Sequence, residues 1–127
     1  MNWLKSFAER ERKQKQEKVT QAFAGREPLD AHQLWELYFR QYDVAPKTVA
    51  KIREIFSRML EVDLSRIRDT DDFSKNLAFF WDFDSLVDVE LVQELEQQFG
   101  ITITDAEAEA MTTLKHIVLT ADPVVRM

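Results

Sequence analysis

The sequence predicts an all-α fold, and three observations carry that expectation. Only two glycines and three prolines interrupt 127 residues, too little punctuation for a turn-rich β-sandwich. Apolar residues recur at three- and four-residue steps in several segments, the period of a helix with one buried face. Alternation is confined to "GITIT", residues 100–104, which is short and isolated. The length suits one domain, and a chain of this size buries roughly two thirds of the surface its unfolded form exposes.

In chain order, residues 2–24 read as a polar helix with thin apolar content: Trp3, Leu4 and Phe7 at one end, Val19, Ala22 and Phe23 at the other. Its middle, "ERERKQKQEK", has no apolar face. Gly25 stops it and Pro28 lies just beyond. Asp30 is placed to cap a second helix running to about Tyr42. Leu34, Trp35, Leu37, Tyr38, Phe39 and Tyr42 cover more than one face of it, so it requires packing on two sides. Pro46 marks the next break. Thr48 is expected to cap a third helix, Val49 to Leu60, with Ile52, Ile55, Phe56, Met59 and Leu60 on one stripe.

A loop follows, tied to the core by Val62, Leu64, Ile67, Phe73 and Leu77. The next helix runs from about Ser85 to Phe99. Leu91, Leu95 and Phe99 recur every four residues, Leu86 and Val89 lie on nearby turns, and Gly100 ends it. Asp105 opens a short helix over "AEAEAM". Thr112 or Thr113 caps a last helix, "LKHIVLT", which stops before Pro123. The breaks divide the chain into an N-terminal helical extension (1–46), a main module (47–121) and a tail (122–127).

Charge is unevenly spread. Residues 1–27 hold seven basic and four acidic groups, net +3; residues 28–59 are net +1; residues 60–127 hold five and fifteen, net −10. An acidic C-terminal half repels nucleic acid and attracts basic protein surfaces. Cysteine is absent, which excludes disulfides and thiolate metal sites. Any thiol chemistry therefore needs a thiol from a prosthetic group. No apolar run approaches the roughly 18 residues of a membrane span, and the opening "MNWLKSFAERERKQ" lacks the apolar core of a signal peptide. A cytoplasmic location is expected. Trp3, Leu4 and Phe7 beside basic residues suggest a membrane-touching end, but their apolar content is low, and a solvated or partner-binding helix is expected instead.

One stretch concentrates the chemistry, "DFDSLVDVELVQELEQQFGITI", Asp82 to Ile103. Its single serine, Ser85, follows Asp84 and precedes Leu86, with Asp88, Glu90, Glu94 and Glu96 on the helix beyond. A serine at a helix N-terminus presents its hydroxyl to solvent, beside free N–H groups and the positive end of the helix dipole, which favour a phosphate. The plainer reading is an N-cap hydroxyl. Asp69, Asp71 and Asp72 cluster upstream. An EF-hand loop counted from Asp69 needs glycine sixth and glutamate twelfth, and Ser74 and Phe80 stand there, so a solvated acidic loop is expected. His32 and His116 have no partner at ligand spacing and read as ordinary histidines.

Residues from about Val49 to Leu119 resemble an acyl carrier protein. The likeness is densest in "DSLVDVELVQELEQQFGITITDAEAEAMTTLKHIV", which follows the family's register without a gap. Upstream, "VAKIREIFSRMLEVDLSRI" is similar to the family's first helix and the start of its long loop, and "DDFSKNL" to the segment before the serine. The resemblance implies an acyl-carrier-protein-like four-helix bundle, three main helices and one short, with the extension's helices added.

It also implies that Ser85, between Asp84 and Leu86, carries 4′-phosphopantetheine, added from coenzyme A by a phosphopantetheinyl transferase. Acyl groups then ride on the arm's thiol as thioesters. Asp88, Glu90, Glu94 and Glu96 become a docking face for basic patches of acyl-transferring and acyl-modifying enzymes. The chain is then a carrier and not an enzyme.

Several positions depart from the family pattern. No glycine stands two residues before "DSL". If Leu77 takes the family leucine's place, four residues are inserted, and the inserted loop carries Phe79, Phe80, Trp81 and Phe83. Val87 replaces a common acid and Gln97 one glutamate of a usual pair. These changes point from general fatty acid synthesis towards a specialised lipid or secondary-metabolite pathway. The aromatic loop reads as a pocket or partner surface, or as a local mini-core. Two rival functions are an unmodified carrier-like adaptor between proteins and a peptidyl or aminoacyl carrier.

Overall fold

In the computed structural model, residues 3–83 and 87–126 are described. Seven α-helices follow in order: α1 Trp3–Ala22, α2 Ala31–Tyr38, α3 Pro46–Leu60, α4 Val87–Phe99, α5 Asp105–Ala110, α6 Leu114–Ala121 and α7 Pro123–Arg126. Short 3₁₀ turns occupy Arg40–Tyr42 and Ala78–Asp82. No strand forms among the described residues, "GITIT" included. An isolated antiparallel bridge pairs Asp72 with Thr113.

The expected stripe of α3 is the spine of the core. Val49, Ile52, Ile55, Phe56 and Leu60 are buried along it, and α3 packs on α2, α4 and α6. Leu91 and Leu95 of α4 meet it from one side, Leu114, Ile117 and Val118 of α6 from another. The long loop is held down by Val62, Leu64, Ile67, Phe73 and Leu77, all buried. Gly25 and Gly100 both take left-handed φ, +81° and +62°, at the ends of α1 and α4. Such angles cost a residue with a Cβ but not glycine. Thr104 closes a capping box with Glu107 at the start of α5, and Thr113 caps α6.

The extension shares this core. Val19, Phe23, Leu34 and Phe39 belong to the same buried cluster as the helices from α3 onward, with Trp35, Tyr38 and Tyr42 packed against it. Polar ties reinforce the packing. Trp35 Nε1 donates to the Val44 carbonyl at 2.7 Å, Arg53 to the Leu29 carbonyl at 2.6 Å, and the Leu29 N–H to the Ser65 carbonyl at 2.8 Å. The polar middle of α1 is anchored too. Lys15 Nζ donates to the Leu60 carbonyl at 2.8 Å, where α3 ends, and Gln16 Oε1 accepts from the Asp63 N–H at 3.0 Å. Three exposed apolar groups remain at the start of α1: Trp3, Leu4 and Phe7.

The structure corrects four local expectations. The second helix ends at Tyr38, not Tyr42, because Phe39 leaves helical geometry (φ −121°) and turns its ring into the core. Asp43 in the left-handed region then closes the 3₁₀ turn. The third helix starts at Pro46, which suits the first helical position because its missing N–H is not needed there. Thr48 is therefore inside α3 and buried; its Oγ1 donates to Asp122 Oδ1 at 2.6 Å. The tail carries helix α7, and Asp122, itself buried, also accepts from the Ala45 N–H at 3.3 Å and the Val125 N–H at 3.1 Å.

The fourth correction concerns the acidic loop, which is not uniformly solvated. Asp71 is buried and accepts two hydrogen bonds from Arg26 (2.6 and 2.9 Å), one from Asn76 (2.9 Å) and one from the Arg68 N–H (2.7 Å). Bonding to Asp71 raises the Arg26 pKa above its ordinary value. Asp72 is half-buried and is held below the usual carboxylate range, chiefly by the Ser74 hydroxyl. No cluster of three or more metal-ligating side chains exists among the described residues.

Candidate functional site

Asp84, Ser85 and Leu86 lie outside the described residues, so the site is built from what flanks them. On the upstream side, the inserted aromatic loop is a 3₁₀ turn with a clear structural cause. Leu77 and Phe80 are fully buried and pin it. Trp81 Nε1 donates to the Phe73 carbonyl at 2.8 Å. Phe79 and Phe80 stack at 4.6 Å between centroids, and Phe73 bridges to Phe56, Phe80 and Trp81 at 5.3, 6.0 and 6.2 Å. Offset and tilted pairs of this kind add to plain burial. The segment is therefore a local aromatic core, with one edge facing a cleft.

On the downstream side, α4 starts at Val87 and carries Asp88 and Glu90 in its first turn. Asp88 Oδ1 accepts from the Val89 N–H at 2.8 Å. Carboxylates at a helix N-terminus meet its positive dipole end. Of the four expected docking acids, Asp88 and Glu90 are exposed and Glu94 and Glu96 half-buried. Glu94 Oε1 accepts from Arg58 at 3.2 Å and from Gln98 at 3.0 Å, which ties α4 to α3. Glu96 Oε2 accepts from the Ile103 N–H at 3.0 Å and fixes the turn after Gly100. Glu90 and Asp88 are thus the acids most open to a partner, and the other two hold the helix in place.

Of the hollows around the start of α4, two also border the aromatic turn. The first is a cleft of about 190 Å³ between α3, α4, α5 and α6. Phe56, Leu91, Val92, Leu95, Met111 and Ile117 give it apolar walls, and Trp81 and Asp88 stand at its margin. The second, of about 380 Å³, lies between α1, the end of α3 and the aromatic turn. Glu11, Arg12, Lys15 and Glu61 face it, with Phe83 and Val87 forming a further wall. Of the aromatic set, Trp81 therefore borders the cleft, Phe80 and Phe83 border the second hollow, and Phe79 is packed half-buried against Phe80. Sequence reasoning raised a pocket at the aromatic loop as one reading but did not identify the helix residues that wall either hollow. The cleft's walls come from four helices, and the face of α1 in the second hollow carries no apolar stripe to betray it.

The surroundings fit a covalent arm ending in a thioester. The chain has no thiol of its own, and an apolar cleft opens beside the first turn of α4, where an acyl chain leaves water.

Comparison with known proteins agrees with this geometry. Residues 50–120 match the family described as a phosphopantetheine attachment site. Among curated proteins, the chain is 43% identical over 68 residues to an acyl carrier protein of Rubrobacter xylanophilus, which covers 54% of this chain and 79% of the relative. It is 31% identical over 65 residues to polyketide-8 synthase acyl carrier protein 2 of Streptomyces avermitilis, 51% of this chain and 70% of the relative.

Proposed function

The chain belongs to the phosphopantetheine-attachment family of acyl carrier proteins, and on that premise we propose that Ser85 holds the arm and that the protein serves a specialised lipid or secondary-metabolite pathway. The observation that carries this reading is the sequence position of Ser85 in the matched stretch, two residues before Val87, where α4 begins, and α4 goes on to wall an apolar cleft. The family's 4′-phosphopantetheine supplies a flexible thiol on which acyl groups are held as thioesters.

The chain's own residues bind, orient and shelter. In loading, the Ser85 hydroxyl oxygen bonds to phosphorus as a pyrophosphate P–O bond of coenzyme A breaks. Adenosine 3′,5′-bisphosphate leaves, and the hydroxyl proton passes to the transferase. Leu91, Val92, Leu95 and Met111 then offer the acyl chain a dry wall, worth about 0.8 kcal/mol for each methylene seated. Asp88 and Glu90 present charge to partner enzymes with basic patches, which raises encounter rates more than final affinity. The chain acts as carrier rather than catalyst.

Intact mass tests the reading. Purified protein incubated with coenzyme A and a broad-specificity phosphopantetheinyl transferase should gain one phosphopantetheine, and Ser85→Ala should gain none. No gain on a well-folded wild-type chain, from that transferase or from one encoded with the pathway, would sink it in favour of an unmodified adaptor.

A further inference from the structure

Two features distinguish this chain from a minimal carrier module, the extension and the aromatic turn, and in the fold they touch. Lys15 Nζ stands 5.8 Å from the centroid of the Phe83 ring, and Lys18 Nζ 5.9 Å from that of Phe79. The second hollow lies at this junction. On α1 its lining residues Ala8, Glu11, Arg12 and Lys15 fall at steps of three and four, one face of the helix. Phe83 and Val87, on the opposite wall, stand two residues before and two after Ser85. Two trans peptide steps span at most about 7–8 Å, so a group on Ser85 is within reach of that wall.

We propose that this hollow seats the phosphate end of the arm on Ser85, with Arg12 and Lys15 as its cationic contacts. The proposal rests on Ser85 being the attachment site. A phosphate needs countercharge, and α4 offers little of it. Its first turn already carries Asp88 and Glu90, and Asp88 takes the Val89 N–H. The cations have to come from another element, and α1 supplies two. Arg12 is exposed, with a planar fork of donors that matches phosphate oxygens. Lys15 is half-buried and held beside Phe83, with one donor on the Leu60 carbonyl and, among the described residues, two further donors available. Glu11 and Glu61 face the same hollow, so its formal charge is balanced. Carboxylates suit the rest of the arm, whose amide N–H groups are donors. A ligand with one anionic end and neutral amides beyond it uses both signs of the lining. On this account the extension is a cradle that holds the root of the arm while its thiol end stays free.

Phosphorus NMR on the full-length, arm-bearing protein tests the proposal. Arg12→Glu reverses a charge in the hollow. Lys13→Glu makes the same change one residue away, on a side chain that does not line it. In wild type the phosphodiester resonance should be broad and shifted, and Arg12→Glu should narrow it and move it towards the solvent-exposed position. The bound population should fall roughly two- to five-fold, the effect of one exposed charge contact. Arg12→Gln should do the same more weakly, and Lys13→Glu should match wild type. Identical spectra for all four proteins, each confirmed by mass to carry the arm on Ser85, would overturn the cradle and leave the carrier reading intact. Absence of the arm from Ser85 would instead remove the carrier reading and the cradle with it.

Discussion

Arg26 and Asp71 lie 45 residues apart in the chain and 2.6 Å apart in the fold. Their pairing joins the extension to the loop that leads towards Ser85, and it shows how much one residue contributes to that junction. Asp71 is 2% exposed and Arg26 29%. Breaking a fully buried pair costs about 3–5 kcal/mol. Here the guanidinium keeps contact with water, and Asp71 retains the Asn76 and Arg68 donors, so Arg26→Ala should cost about 2 kcal/mol. Arg26→Lys should recover less than half of that, since it cannot form both bonds at once. A urea midpoint series reads both, and a loss under about 0.5 kcal/mol, the level of an exposed pair, would refute the role given to this contact. Nothing in "RDTDDF" distinguished Asp71 from its neighbours, because burial was decided by a residue 45 positions away. Thr48 and Asp122 illustrate the same limit. A threonine after a proline reads as a cap, and only the approach of the chain's last segment makes it a buried donor.

Among the elements, those with a strong period were legible. The α3 stripe, the Leu91–Leu95 step of α4, the glycine stops and the Thr113 cap follow from local chemistry, and they stand where the sequence predicts. The aromatic turn was not, because a 3₁₀ segment of five residues has too few positions to declare a period. Its aromatic content announced burial or binding without choosing between them. The fold divides the roles: Phe80 faces the core, while Trp81 and Phe83 border separate hollows. The cleft gives α5 a task as well. Ala108 lines it and leaves it open. A short acyl chain loaded on the arm should raise the melting temperature of the wild type by about 5 °C. Ala108→Phe should fill the cleft and abolish that gain without unfolding the unloaded protein. An unchanged gain in the variant would move the cargo elsewhere.

For the molecule as a whole, the sequence division at residue 46 falls just before the family likeness begins. We expect it not to mark a boundary of cooperativity, since Leu34 and Phe39 are fully buried in the core that α3 organises. Amide hydrogen exchange settles this. The amides of Leu34 to Tyr38 should open with the same free energy as those of Ile52 to Phe56, as one cooperative unit requires. Faster exchange by an order of magnitude or more in α2 would make the extension a separate unit. The acidic half and the basic first helix then belong to one body. Trp81 has a practical consequence of its own. Its indole is locked to the Phe73 carbonyl and looks onto the cleft. An indole so placed changes its emission colour with the polarity beside it. If the cleft receives the cargo as proposed, Trp81 is a built-in optical gauge: its share of the intrinsic fluorescence, over the emission of Trp3 and Trp35, should shift as an acyl group enters or is handed on.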